Sequence, residues 1–137
     1  MRVTQLTVFL ENRSGRLAEL AGILGQAGIN IRGFSTTEAD EFAIVRLVVS
    51  DAARAQELIA AAGYTTHLSK VICVKVPDEP GGLASVLEQL AAADVSIDYL
   101  YGISLQNVCF AVPDPERAVE LLADKVTLLG DEEVRAL

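Results

Sequence analysis

The sequence predicts an α+β fold made of two tandem βαββαβ units, each an antiparallel sheet with its helices on one face. Three observations give this prediction. Apolar side chains alternate with polar ones in some segments and recur every three to four positions in others, which are the periods of strands and helices. A glycine turn between a strand and a helix occurs twice, at Gly15 and Gly81. The apolar pattern around both turns is also shared.

The repeat extends along nearly the whole chain. The segment 11–17 (Glu-Asn-Arg-Ser-Gly-Arg-Leu) aligns with 77–83 (Pro-Asp-Glu-Pro-Gly-Gly-Leu), and 29–31 aligns with 95–97 at the same spacing. Beyond the central hairpin the spacing shortens slightly, as expected at a hairpin tip that tolerates deletion. We therefore predict two domains, 1–68 and 69–137. Because no Gly, Ser or Pro linker separates them, we expect them to pack closely.

In the first unit, residues 3–10 alternate as in a half-buried strand, and an apolar stripe follows at helical spacing. Asp51 is expected to cap the second helix, and Gly28 and Gly63 are expected to end helices in the left-handed conformation. The predicted elements are strands at 3–10, 29–37, 42–50 and 64–68 and helices at 16–27 and 52–62.

The second unit repeats this order, with predicted strands at 70–77, 95–101, 107–112 and 125–129 and helices at 82–93 and 115–124. The tail could instead complete the last strand through residues 134–137. The order matches the ferredoxin-like split βαβ arrangement. One sheet face is then left without helices, and we expect the other repeat or a second chain to cover it. That face includes Gln5, Thr7 and Phe9 in the first unit and Val71, Cys73 and Lys75 in the second.

Composition argues against several classes of function. The formal net charge of −8 disfavours nucleic acid and anionic membranes, whose binding depends on Lys and Arg. Neither a signal peptide nor an apolar run of about 20 residues is visible, so a soluble cytoplasmic protein is expected. Cys73 and Cys109 lack CxxC spacing and are expected to be small apolar residues within strands. With His67 as the single histidine, we expect no catalytic residue, metal or cofactor.

The glycine turns are the candidate functional feature. Gly15 allows a turn that a Cβ would resist and lets a ligand approach the backbone. The following helix N-terminus favours an anion such as a carboxylate. The oxygen of Asn12, or of Asp78 in the second unit, could accept a hydrogen bond from an ammonium group. Asn30 and Ser96 are expected to add a second polar contact. Together these groups suit an α-amino acid, although Asn or Asp before a helix often serves only as a cap.

The two loops resemble the first loop of ACT domains, in which Asp or Asn is followed by two residues, a glycine, one residue and a leucine. The resemblance covers nearly the whole chain as two ACT units, and the first repeat also resembles the regulatory subunit of acetohydroxyacid synthase. It implies an amino-acid-binding, allosteric regulatory protein with ligand near the interfaces between units. The ligand-binding residues it implies are Asn12, Arg13, Ser14, Gly15, Arg16, Leu17, Asn30 and Ile31, and Asp78, Glu79, Pro80, Gly81, Gly82, Leu83, Ser96 and Ile97.

The resemblance also implies the partners. ACT units pair side by side, often into an eight-stranded sheet, so a homodimer is expected, and a biosynthetic enzyme is a possible partner. An alternative is a regulatory subunit of an enzyme such as acetohydroxyacid synthase that works mainly through protein contact. The second repeat departs from the first, with Asp78 in place of Asn12 and Pro80 in place of Ser14. The first loop is therefore predicted to be the better amino-acid pocket. Tyr99 and Tyr101 share one strand face, where they could line a pocket or fill an interface, and a packing role is expected.

Overall fold

The computed structural model describes residues 1–104 and 106–137, and it confirms the α+β class. The described residues divide into two compact units. The first unit is Thr4–Ser69, and the second is Lys70–Leu137 together with Met1–Val3. In chain order the elements are β1 (Val3–Glu11), α1 (Arg16–Gln26), β2 (Ile31–Ala39), β3 (Phe42–Val49), α2 (Ala52–Ala61), β4 (Thr65–Lys75), α3 (Gly82–Ala92), β5 (Tyr99–Ile103), β6 (Asn107–Ala111), α4 (Pro115–Leu122), β7 (Leu128–Leu129) and α5 (Asp131–Arg135).

In the first unit, β3 lies between β1 and β2 and is antiparallel to both. Leu47 of β3, for example, lies opposite Leu6 of β1 on one side and Phe34 of β2 on the other. Both helices bury their apolar stripes on one face of this sheet. The core they form contains Leu6, Val8, Leu20, Leu24, Val45, Leu47, Ala55 and Ile59.

The helix ends of the first unit follow the local sequence signals. Asp51 caps α2, because its Oδ1 accepts a hydrogen bond from the Arg54 N–H at 3.1 Å. Gly28 and Gly63 follow the helices at φ of 75° and 99°, as predicted. The strand after Gly28 begins later than predicted, at Ile31. The backbone of Asn30 pairs with Ser50 outside the regular ladder of the strand.

In the second unit, β6 lies between β5 and β4, and β4 also pairs with β7. The helices α3 and α4 again cover one sheet face, over a core that includes Ile72, Val74, Val86, Leu90, Phe110, Ala118 and Leu122. Asp94 takes the place of Gly28 after the first helix and adopts φ 57°. Its N–H donates to the Ala91 carbonyl at 3.0 Å, so an aspartate holds the left-handed position here.

Several predicted boundaries were wrong. The strands predicted at 64–68 and 70–77 are one continuous strand, β4, because no glycine or proline interrupts residues 65–75. The strand predicted at 95–101 begins only at Tyr99, and the predicted 125–129 strand is reduced to β7. The tail forms α5 rather than an extended strand. Acidic residues fill the first turn of α5, where they favour a helix N-terminus.

The expectation for the two cysteines was also wrong. Cys73 of β4 lies directly opposite Cys109 of β6 in the antiparallel register, and the two form a disulfide. Spacing along the chain does not report cross-strand neighbours, which depend on register instead. Both residues are fully buried.

The sheet faces that carry no helices are buried at most of the positions named from the sequence. Gln5, Thr7, Val71 and Cys73 are between 0 and 9% exposed, whereas Phe9 is 37% exposed. Gln5 Nε2 donates to Thr7 Oγ1 and to Ser69 Oγ, each at 3.4 Å. The rings of Tyr99 and Tyr101 stack with centroids 6.4 Å apart, an arrangement that the sequence had not indicated. None of the helices among the described residues is long and apolar enough to cross a membrane.

Candidate functional site

The loop between β1 and α1 turns sharply at Gly15. This residue is the N-cap of α1 with φ 86°, and no side chain forms a capping hydrogen bond there. Asn12 therefore does not act as the helix cap, which was the structural alternative to a binding role. Its N–H donates to the Glu41 carbonyl at 2.9 Å, so the loop is fixed to the tip of the β2–β3 hairpin.

The first turn of α1 presents backbone donors. The Arg16 N–H donates to the Arg13 carbonyl at 3.3 Å, and the Glu19 N–H donates to the Gly15 carbonyl at 3.0 Å. Between them, the N–H groups of Leu17 and Ala18 have no backbone acceptor within the described parts of the chain. Unsatisfied N–H groups at a helix N-terminus attract anions, and the helix dipole adds to this attraction.

A cleft of about 300 Å³ opens beside this loop. Its walls include four of the predicted residues, Asn12, Arg13, Arg16 and Leu17. The other residues of the wall come from the end of β1 and from the β2–β3 hairpin, and they are Leu10, Glu11, Thr36, Glu38, Ala43 and Val45. We call this space the polar cleft.

Opposite charges surround the polar cleft. Glu11 Oε2 lies 3.1 Å from Arg13 Nη1 and 3.9 Å from Arg16 Nη2. Arg16 Nη1 also lies 3.2 Å from Glu19 Oε2. Glu38 adds a second carboxylate to the wall. The cleft therefore offers both cationic and anionic groups, as a zwitterion requires.

Arg16 is held in place by a small network with Glu19 of α1 and Tyr64, which precedes β4. The Tyr64 hydroxyl donates to Glu19 Oε1 at 2.7 Å. This hydrogen bond lowers the pKa of the Glu19 carboxyl, the charge of Arg16 lowers it further, and the same hydrogen bond raises the pKa of Tyr64. Contact with Tyr64, together with the charges of Glu11 and Glu19, raises the pKa of Arg16. Arg16 thus stays charged and is fixed beside the polar cleft.

An apolar cavity of about 230 Å³ lies next to the polar cleft. Both spaces are bounded by Leu17 and Val45. The cavity wall also includes Ile31, another predicted residue, and it has no polar surface. The full wall is Leu17, Leu20, Ala21, Ile31, Phe34, Val45 and Leu47. Phe34 at its edge is 65% exposed.

The remaining predicted residues of the first loop do not line these two spaces. Ser14 and Gly15 shape the turn but are absent from both walls. Asn30 uses its backbone to pair with Ser50, donating to Ser50 Oγ and accepting from the Ser50 N–H, each at 2.9 Å. The sequence analysis missed Glu11, Thr36 and Glu38 as cleft residues. Thr36 and Glu38 are two positions apart on β2 and so share a face, but that pattern does not indicate that the face meets the loop.

The loop at 78–83 repeats the backbone geometry of the first loop. Gly81 is the N-cap of α3 at φ 82°, again without a side-chain cap. The N–H groups of Glu79, Gly82 and Ser85 donate to Pro77, Glu79 and Gly81 at 2.9 Å each. A Cβ on Gly82 would collide with the Pro77 carbonyl. The backbone bonds of the turn therefore recur, but in a tighter loop.

The other predicted residues of the second unit lie in different surroundings. Asp78, Glu79, Pro80, Gly81 and Leu83 are exposed. Ser96 lines a cavity of about 150 Å³ together with Asp94, Asp114 and Arg117, and no residue of the loop 78–83 belongs to that wall. Ile97 packs against the core of the second unit.

Two βαββαβ-type units in tandem, each with a glycine turn at the start of its first helix, define a duplicated ferredoxin-like protein. The sequence profile of the ACT domain pair matches residues 1–137. The chain therefore belongs to the ACT domain pair family.

Solved structures agree with this assignment. A protein of Bacteroides thetaiotaomicron is 33% identical to this chain, with a TM-score of 0.92 over 100% of this chain and 98% of that one. The ligand-free regulatory subunit of aspartate kinase from Thermus thermophilus is 15% identical, with a TM-score of 0.63 over 88% and 90% of the two chains. At that identity the likeness shows the shared fold alone. No curated protein matches this chain in sequence.

Proposed function

We propose that this chain is a regulatory protein that binds an α-amino acid, or a similar small zwitterion, in the polar cleft beside residues 12–17. The observation that carries the proposal is the convergence of Arg13, Arg16, Glu11 and Glu38 on one cleft with unsatisfied backbone N–H groups. Membership of the ACT domain pair family supports it, because the family resemblance implies binding of amino acids.

Each end of an α-amino acid finds suitable partners in this cleft. We place the carboxylate at the N–H group of Leu17, which lines the cleft, with Arg16 beside it, because the helix N-terminus and the guanidinium both favour an anion. The ammonium is placed toward the Asn12 amide oxygen and the Glu38 carboxylate, which are acceptors. Hydrogen bonds to charged groups contribute about 1.5–3 kcal/mol each, so a few of them suffice to hold a small metabolite.

The proposal is tested by isothermal titration calorimetry of the full chain with a panel of the common amino acids. At least one should bind, and Asn12→Ala should weaken its binding about tenfold or more. Gly15→Val should abolish binding, because the left-handed backbone at φ 86° resists a branched side chain. Asp78→Ala, at the matching position of the second loop, is the control and should bind as the wild type does.

Two outcomes would contradict the proposal. One is the absence of binding for every amino acid in the panel. The other is binding that Asn12→Ala and Gly15→Val leave unchanged.

We further propose that the protein acts as a homodimer, which sedimentation equilibrium of the full chain would test.

The alternative function is that of a regulatory subunit of a biosynthetic enzyme such as acetohydroxyacid synthase, which would act mainly by protein contact. One observation favours it: Phe34, at 65% exposure, presents an aromatic ring on the surface, and exposed aromatic residues are enriched at protein interfaces. Recovery of a large synthase subunit with the tagged chain, lost in Phe34→Ser, would support this alternative.

We propose no catalytic role. His67 is exposed on β4, and the described residues contain no cluster of three potential metal ligands. Turnover of any metabolite that His67→Ala abolishes would overturn this part of the proposal.

A further inference from the structure

We infer that the amino acid bound in the polar cleft carries an apolar side chain, and that the adjoining cavity lined by Leu20, Ala21 and Phe34 selects it. This inference rests on the proposed function, because it assigns the side-chain pocket of the same site. It goes further by naming the class of ligand, which the charges of the cleft alone do not distinguish.

The first step is the position of the two spaces. Leu17 and Val45 belong to both walls, so the polar cleft and the apolar cavity are neighbours. Leu17 lies in the first turn of α1, whose N-terminus attracts the carboxylate, and it is 48% exposed. A ligand whose charged end lies in the cleft therefore directs its Cβ along Leu17 toward the cavity.

The second step is the chemistry of the cavity. All its lining side chains are aliphatic or aromatic, and no polar surface is exposed inside it. A serine, aspartate or lysine side chain placed against this wall would find no hydrogen-bond partner among the lining side chains. An aliphatic or aromatic side chain would instead be transferred from water to an apolar surface, which is favourable.

The third step is size. An engineered apolar cavity of about 150 Å³ in another protein stays dry and binds benzene. The cavity here, at about 230 Å³, therefore has room for a branched aliphatic or a phenyl side chain. Each methylene buried in it should raise affinity about fourfold, which corresponds to about 0.8 kcal/mol.

The inference is tested by calorimetry of the full chain with a homologous series: alanine, 2-aminobutyrate, norvaline and norleucine. The charged groups are identical throughout the series, so changes in affinity report the side-chain cavity alone. We expect affinity to rise about fourfold per added methylene until the cavity is filled. Threonine, which has the shape of valine but carries a hydroxyl, should bind at least tenfold more weakly than valine.

A variant that fills the cavity makes the test specific. Ala21 lines the apolar cavity and not the polar cleft, and leucine is a good helix former, second only to alanine, at this exposed position. Ala21→Leu should lower the affinity for norleucine at least tenfold and leave that for alanine unchanged. Gln26→Leu, which adds the same side chain at the exposed end of α1, is the matched control and should have no effect.

The outcomes separate the two proposals. The inference is wrong, and the proposed function stands, if Ala21→Leu changes nothing and the affinity for amino acids does not depend on side-chain length. The same holds if Ala21→Leu changes nothing and the protein prefers serine or aspartate. If no amino acid binds at all, the proposed function is wrong and the inference fails with it.

Discussion

The two glycine loops of this chain have nearly the same backbone and very different chemistry. Each places a glycine with φ above 80° at the start of a helix, and each repeats the same three backbone hydrogen bonds. The position after that glycine is Arg16 in the first loop and Gly82 in the second. The first loop therefore carries guanidinium groups beside its helix N-terminus, whereas within 77–83 the second carries only carboxylates. The comparison shows that a duplicated turn can keep its backbone bonds while the charged side chains beside it change.

The units also differ at matched positions of their sheets. Thr7 of β1 lies opposite Arg46 of β3, and the corresponding pair in the second unit is the disulfide of Cys73 and Cys109. A polar pair in one unit thus corresponds to a covalent bond in the other. Substitutions at matched positions of the two units should therefore have different effects, and the predictions below compare them.

Removal of the disulfide should have the largest effect. The double variant Cys73→Ala, Cys109→Ala should lower the free energy of unfolding by about 4 kcal/mol, because the bond spans 36 residues and constrains the unfolded chain. Urea denaturation of the oxidised protein measures the change. Thr7→Ala, at the matching position of the first unit, should cost no more than about 1 kcal/mol. Equal stability of the wild type with and without reductant would contradict this prediction.

Gly82→Ala should have the next largest effect. Its Cβ would collide with the Pro77 carbonyl, and overpacking against backbone typically costs about 1–3 kcal/mol. Arg16→Ala, at the equivalent position of the first loop, should leave stability nearly unchanged, since the ion pairs and the Tyr64 contact that it removes are accessible to solvent. The difference is read from urea denaturation of both variants. If Gly82→Ala and Arg16→Ala lower the free energy of unfolding equally, the prediction that the second loop is the more tightly packed is wrong.

Asp94→Gly should stabilise the second unit by up to about 1 kcal/mol. Asp94 holds a left-handed conformation at φ 57° where the first unit has Gly28, and glycine adopts this conformation without the steric cost of a Cβ. Gly28→Asp is the reciprocal variant and should lose a similar amount. Thermal unfolding followed by circular dichroism compares the two, and a lower midpoint for Asp94→Gly would contradict the prediction.

The smallest effect concerns Glu19, whose position in the second unit is taken by Ser85. Tyr64→Phe should raise the pKa of Glu19 toward its ordinary value of 4.5, because the hydrogen bond that lowers it is lost. A lowered folded-state pKa stabilises the protein above the unfolded pKa, and this stabilisation disappears as the pH falls through the folded value. Carbon-detected NMR titration measures the shift. Tyr99→Phe should leave the pKa of Glu19 unchanged. If Tyr64→Phe also leaves it unchanged, the hydrogen bond from Tyr64 is not what lowers this pKa.

Local signals in the sequence explain why much of the fold could be predicted. The cap at Asp51 and the helix ends at Gly28 and Gly63 depend on neighbouring residues alone, and all three were confirmed. The disulfide depends on strand register, which brings together residues far apart in sequence. The α5 helix was missed because its five residues are too few to show a helical period.

The candidate site also combines residues that a local sequence pattern predicts with residues that distant parts of the chain supply. Asn12, Arg13, Arg16 and Leu17 lie within one short segment, so their place in a common wall follows from the loop pattern. Glu38 reaches that wall only because the β2–β3 hairpin folds over the loop, which periodicity does not reveal. The choice between a helix cap and a cleft residue for Asn12 likewise required side-chain geometry, since both roles favour the same residue type.

The backbone bond from the Asn12 N–H to the Glu41 carbonyl has a consequence for how such a site can be gained or lost. In the first unit the hairpin strands are long, 9 and 8 residues, and Thr36, Glu38 and the Glu41 carbonyl all meet the loop near the hairpin tip. The corresponding strands of the second unit are 5 residues each. A deletion of a few residues at a hairpin tip would thus remove a wall of the cleft in one genetic step, while every core side chain stayed in place. A change in hairpin length can therefore make the clefts of two duplicated units differ while their glycine loops stay alike.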